Sequence, residues 1–160
     1  MENNSFHTFN EYMKKEENTL TASMEDYLEM IYRLSLETGV TRMNQLSESL
    51  HVQPPSATKM VQKLGDMHFL KYERYGYIVL EESGRKMGEL LLRRHNTIEE
   101  LLKIFGVPSP LILEETEKIE HTISGDTIKC FETFIDFVES NVDILTRFNE
   151  YKNDPFNDIS

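Results

Sequence analysis

"TRMNQLSESLHVQPPSATKMVQKLGDMHFLKY", residues 41–72, is the stretch whose reading decides the fold. A short helix over about 43–50 leads into a brief connection through Val52 and Gln53. Pro54 and Pro55 suit a first helical turn, where a missing N–H costs nothing. A second helix then runs to about Met67 and buries Ala57, Met60, Val61 and Leu64. Two short helices joined by so brief a turn make the helix-turn-helix pattern. The continuation "FLKYERYGYIVL", residues 69–80, reads as two strands around a Tyr-Gly turn, which is a wing. The module is a winged helix-turn-helix.

Upstream, "LTASMEDYLEMIYRLSLETG" (20–39) has a clear helical period, with Tyr27, Ile31 and Leu34 beside Met24, Leu28 and Tyr32 on the apolar face. Thr21 or Ser23 can cap its start and Gly39 ends it. Residues 1–20 are a polar extension. Downstream, "EESGRKMGELLLRRHNTIEELLKIFGV" (81–107) predicts a helix of 20 or more residues, starting near Glu82 or Ser83 and ended by Gly106. Pro108 and Pro110 separate it from a helix carrying "EETEKIEHTIS" (114–124). Ser124–Gly125 then breaks the chain before two amphipathic helices at about 125–139 and 142–152. The expected fold is mainly α, with an N-terminal winged helix-turn-helix bearing a small two-stranded wing and a C-terminal all-α domain.

The net charge of −11 over 160 residues speaks against nucleic acid until its distribution is read. Residues 1–40 carry −5, residues 41–95 carry +3 and residues 96–160 carry −9. A basic middle thus meets an anion, and the acidic flanks do something else. No run approaches the roughly 18 apolar residues of a membrane span, and the start lacks the apolar core of a signal peptide. A cytoplasmic protein is expected, with the single Cys130 as a reduced core residue.

On the second helix of the pair, Ser56, Thr58, Lys59, Gln62 and Lys63 lie off the apolar face. Hydroxyls near the helix start and long donors further on suit entry into the major groove of double-stranded DNA. Lys71, Tyr72 and Arg74 on the wing would hold the phosphate backbone. The plain alternative is a solvated polar face on a winged-helix scaffold used for protein contacts.

A second set of residues asks for its own chemistry. Asp26 and Glu29 share a face of the first helix, His95 lies near the middle of the long one, and Glu117, Glu120 and His121 cluster at spacings of three and four. Taken singly, each has a bland reading as a wet surface stripe. If the three helices meet, four carboxylates repel strongly at reduced dielectric, and two divalent cations would balance them. Oxygen-rich sets with a minority of imidazole suit Mn²⁺ or Fe²⁺ better than zinc. An enzyme would need a substrate cleft, and the sequence has neither a glycine-rich loop nor a nucleophile motif.

The segments "SMEDYLEMIYRL", "PSATKMVQKL" with "YERYGYIVL", "RRHNTIEELLKIFGV" and "EKIEHTIS" together resemble the diphtheria-toxin-repressor family of metal-dependent regulators, and most of all its manganese-transport-regulator branch. The resemblance covers roughly residues 21–125, in order and spacing. It implies that Asp26, Glu29, His95, Glu117, Glu120 and His121 fall on the family's six metal-ligand positions. It also implies that Glu117 and Glu120 bridge two metals, one held with Asp26, Glu29 and His95 and the other faced by His121. The iron-sensing branch has Met and Cys where this chain has Asp26 and Glu117, so hard oxygens replace soft sulfurs and favour manganese. The cofactor implied is Mn²⁺, two per subunit, with Fe²⁺ as the alternative.

The implied domains are 1–20, an extension; 21–82, DNA-binding; and 83–160, metal-binding and dimerisation, without an SH3-like third domain. The apolar faces of the last two helices (Ile128, Phe131, Ile135, Val138; Ile144, Leu145, Phe148) are expected to form a homodimer that reads two half-sites of an operator. The function expected is a manganese-activated repressor of manganese-uptake genes. The rivals are an iron-responsive repressor of the same family and a winged-helix regulator sensing a non-metal ligand.

Overall fold

The computed structural model describes residues 20–154, so the expected extension over residues 1–20 lies outside the described residues except for Leu20. Seven helices and three short strands are found among the described residues. Helix α1 spans Ala22–Thr38. The Thr21 side chain accepts from the Met24 N–H, and Gly39 closes the helix at φ +77, as the sequence led one to expect. Met24, Tyr27, Leu28 and Ile31 form its buried stripe.

Strand β1 (Thr41–Arg42) was not legible in the sequence: the wing has its two strands, and this third one joins them. It is followed by α2 (Met43–Ser49), α3 (Pro54–Asp66), β2 (Leu70–Tyr72), a short 3₁₀ turn (Arg74–Gly76) and β3 (Tyr77–Leu80). The sheet is antiparallel in the order β1-β3-β2, with Thr41 opposite Ile78 and Leu70 opposite Leu80. Thr41 is fully buried, and its hydroxyl donates to the Ile31 carbonyl at 2.9 Å, which fastens the sheet edge to α1. Ala57, Val61 and Leu64 turn α3 onto the same core, at the i, i+4, i+7 spacing of a single helical face.

Helix α4 (Glu82–Phe105) is continuous, and α5 (Ser109–Glu120), α6 (Gly125–Ser140) and α7 (Val142–Lys152) follow it. The described residues divide into two compact units, 20–92 and 93–154, with the division inside α4. In the second unit Leu101, Ile104, Ile135 and Val138 form the core, with Phe131 and Leu145 against it.

One expectation needs correction here. Cys130 is exposed, not a core residue. It lies two residues round from Ile128, about 200° away on the helix, while Ile128, Ile135 and Val138 take the buried stripe. Of the side chains offered above as a dimer face, Ile135 and Val138 close this unit's own core, with Phe131 and Leu145 against them. The large apolar groups left exposed on α6 and α7 are Phe134, Phe137, Val142 and Tyr151.

Helix α4 begins hard against the wing. A Cβ on Gly84 would stand 1.9 Å from the Phe69 carbonyl oxygen, which already accepts from the Glu81 N–H. Glycine to alanine inside a helix ordinarily stabilises, by up to about 1 kcal/mol. Here the backbone clash reverses the sign, so Gly84→Ala should cost about 1–3 kcal/mol in urea unfolding. Gly125→Ala, with nothing within 4 Å of the new methyl group, should stay within about 0.5 kcal/mol of the parent.

Candidate metal centre

Helix α5 ends in an electrostatically awkward way. Glu117 and Glu120 occupy its last turn and His121 is its C-cap, at the end where unpaired carbonyls already concentrate negative charge. Lys118 is drawn to Glu114 at 2.5 Å and Glu115 at 3.2 Å. That pairing holds the Glu114 carboxyl below the usual carboxylate range and raises the Lys118 ammonium, in both cases through their hydrogen bond first.

Glu120 is 1% exposed. A buried carboxylate is costly unless hydrogen-bonded and balanced by positive charge, and two imidazoles approach it. His95, 5% exposed on α4, has its Nδ1 2.9 Å from Glu120 Oε2 and 3.8 Å from Glu117 Oε1. A carboxylate only accepts, so His95 donates to it through Nδ1. His121 Nε2 lies 3.5 Å from Glu120 Oε1. Glu117, Glu120 and His121 each bring one ligand atom within 4.8 Å of the others.

The fit to a metal can be judged on these donors. Carboxylate oxygens dominate, imidazole is the minority and sulfur is absent, which suits a hard divalent cation. The fully buried Thr116 hydroxyl, four residues before Glu120, finds no hydrogen-bond partner among the described residues. A buried orphan hydroxyl is uncommon enough to need a reason, and beside a metal centre a coordinated water would supply one.

Asp26 and Glu29 belong to the first unit. Asp26 is half-buried on α1, and Glu29 is buried with Arg33 closing on its Oε1 at 2.5 and 2.8 Å. The sequence reading passed over Arg33, although its i,i+4 spacing from Glu29 was a usable signal. It also passed over Thr116 and over Arg94, whose Nη2 lies 3.5 Å from His121 Nδ1. Nothing in the sequence marks those two.

The residues expected to meet DNA lie in the first unit. Ser56, Lys59, Gln62 and Lys63 of α3 are exposed, and Thr58 is half-buried with its hydroxyl donating to the Pro54 carbonyl at 3.0 Å. On the wing, Lys71 and Tyr72 are exposed and Arg74 opens the turn. Tyr75 at the wing tip is 94% exposed with φ +67, a conformation that singles it out although the sequence reading did not. Arg42 is exposed too, held by the Tyr77 hydroxyl at 2.9 Å and stacked on that ring at 5.1 Å.

Comparison with known proteins accords with this arrangement. Residues 19–78 match the family model for the iron dependent repressor N-terminal DNA binding domain, and residues 81–148 match the one for its metal binding and dimerisation domain. The HTH-type transcriptional regulator MntR of Shouchella clausii (strain KSM-K16) is 45% identical over 121 residues, 76% of this chain and 85% of that protein. MntR of Bacillus pumilus (strain SAFR-032) is 41% identical over 121 residues, 76% of this chain and 84% of that one. Among solved structures, the manganese regulator SloR superposes with a TM-score of 0.62 at 29% identity, over 71% of this chain and 54% of its own. This chain therefore spans about half the length of that structure. No helix among the described residues is long and apolar enough to cross a membrane. The chain belongs to the diphtheria-toxin-repressor family of metal-dependent transcriptional regulators, on its manganese-transport-regulator branch.

Proposed function

We propose that this chain is a cytoplasmic, manganese-activated repressor of manganese-uptake genes that acts as a homodimer on operator DNA. The observation that carries the reading is the buried Glu120 between two imidazoles, with Glu117 beside it, at the negative end of α5. Asp26 and Glu29 complete a ligand set with His95, Glu117, Glu120 and His121, and this set takes two Mn²⁺ per subunit. Fe²⁺ is the competing metal. Bound divalent cations supply the positive charge that lets four carboxylates share one place.

Four of these ligands stand on α4 and α5, whereas Asp26 and Glu29 stand on α1, whose stripe shares a core with α3. Ligands drawn from both domains make the direction in which α3 points depend on metal. The functional division is placed at 82/83, near the break between the two family models, which end at 78 and begin at 81. Ser56, Thr58, Lys59, Gln62 and Lys63 then read the major groove, while Lys71, Tyr72 and Arg74 hold the backbone. Dimerisation runs through the C-terminal helices, where Phe134, Phe137, Val142 and Tyr151 are the apolar groups left exposed. A dimer reads two half-sites about 34–36 Å apart, so a small change of angle matters.

The test is fluorescence anisotropy on promoter DNA with chelator and then with Mn²⁺, Fe²⁺ and Zn²⁺ in turn. Mn²⁺ should tighten binding at least tenfold, within the roughly 5–150-fold range of ordinary allosteric coupling. Glu120→Gln should remove that response and leave the weak metal-free binding unchanged. Equal binding with and without metal would discard the metal reading and favour a regulator of some other ligand. A response to Fe²⁺ alone would move the chain to the iron-sensing function.

The DNA assignments are tested separately by salt. Lys59→Ala should lower affinity and reduce the slope of log K against log salt by about one if Lys59 neutralises a phosphate. Gln62→Ala should leave that slope unchanged while relaxing sequence preference.

A further inference from the structure

Several cations of this acidic chain are claimed by carboxylates. Arg33 pairs with Glu29, Lys86 with Glu82, Lys103 with Glu99 and Lys129 with Asp126. Arg42 stands apart, because its guanidinium meets no carboxylate among the described residues. Its Nη2 instead donates to the Tyr77 hydroxyl at 2.9 Å, and its guanidinium carbon lies 5.1 Å from the centre of that ring.

The sheet explains the pairing. Arg42 of β1 and Tyr77 of β3 are directly opposite in the antiparallel ladder, so their side chains stand on one face. Strand residues alternate between faces. Thr41, Ile78 and Leu80 are buried, whereas Arg42 is exposed and Tyr77 and Val79 are half-buried. Lys71 of β2 is exposed and lies opposite Val79, which adds it to the outer face. A cation on each edge strand thus flanks Tyr77 and Val79. Neither cation makes an ion pair among the described residues, although the Glu73 N–H reaches the Tyr77 carbonyl at 2.8 Å.

A ring and a hydroxyl hold the Arg42 side chain without neutralising it. A guanidinium has several N–H donors and no acceptor, and one bond to a neutral phenol leaves its charge and most of those donors open to water. Ordering a long side chain normally weakens binding, but here folding has already ordered it. The planar fork matches the oxygens of a phosphate. Arg42 and Tyr77 also belong to the unit that carries α3.

We infer that Arg42, held by Tyr77, is a prearranged contact for a phosphate of double-stranded DNA, extending the grip of the wing to the outer strand β1. The inference rests on the DNA-binding reading above. Tyr77 is a positioning residue in this account, since it acts through Arg42.

The experiment is anisotropy of the full-length protein on promoter DNA with Mn²⁺ present, over a series of salt concentrations. Arg42→Met, with Arg42→Gln in reserve if circular dichroism shows the Met variant unfolded, should reduce the slope of log K against log salt by about one. Arg42→Lys should keep the slope. Tyr77→Leu should also keep it while weakening binding about two- to tenfold, the effect of having to order one long side chain on binding. In an Arg42→Met background, Tyr77→Leu should change affinity by less than about twofold. An unchanged slope in both Arg42→Met and Arg42→Gln would overturn the inference, even if affinity fell, because the pair would then serve only the sheet. A Tyr77→Leu loss that persists without Arg42 would overturn it too, making Tyr77 itself the contact. A parent protein that binds no DNA would overturn the DNA-binding reading and this inference with it.

Discussion

The hydrogen bond from His95 to the buried Glu120 carboxylate is the contact on which the second unit depends. An uncompensated buried carboxylate costs several kcal/mol, and the carbonyl end of α5 adds to that cost. His95 offsets it and in doing so joins α5 to α4. Other polar contacts use the same helix as a spine. Arg93 joins α4 to Glu132 of α6, and Lys152 of α7 reaches the carbonyl of Phe105, the last residue of α4, at 3.5 Å. The apolar core of Leu101, Ile104, Ile135 and Val138 lies along that spine. A unit this acidic holds together because its few cations and imidazoles are placed at the joints.

The first unit is built on different physics. Its core is apolar and its polar residues are sorted by helical period, so α3 presents Lys59, Gln62 and Lys63 outward because Ala57, Val61 and Leu64 point in. The turn before the recognition helix and the turn of the wing both use backbone in the left-handed region, at His51, Tyr75 and Gly76. Only Gly76 adopts that conformation at no steric cost. The two non-glycine residues are held there by what flanks them, namely a helix on either side of His51 and paired strands on either side of Tyr75.

Elements with a strong local signal could be read directly. Pro54–Pro55 at the start of α3, Thr21 and Gly39 at the ends of α1, and Gly106 after α4 all act through their nearest backbone neighbours. That Asp26 and Glu29 share one helix face, and Glu117, Glu120 and His121 another, was legible because three- and four-residue spacings bring side chains to one face of a helix. Other features had no such signal. Strand β1 is two residues long, and Thr41 and Arg42 become a strand only because β3 lies alongside. The Ile128 stripe reads equally well as core or interface, since a period shows which residues share a face and not what covers it. Cys130 was placed inside by residue type, whereas its angle from Ile128 put it outside.

The sequence by itself determined the order of helices, the winged module and the sorting of charge into a basic middle and acidic flanks. These follow from short-range rules and from composition, which need no partner across the fold. Tertiary structure alone decided that Glu120 is buried, that His95 donates to it through Nδ1, and that Arg94 stands against His121. Those facts depend on how α4 and α5 pack, 25 and 27 residues apart in the chain for the two contacts. No local rule fixes a pairing at that separation, because it is chosen by the total free energy of closing the core around it.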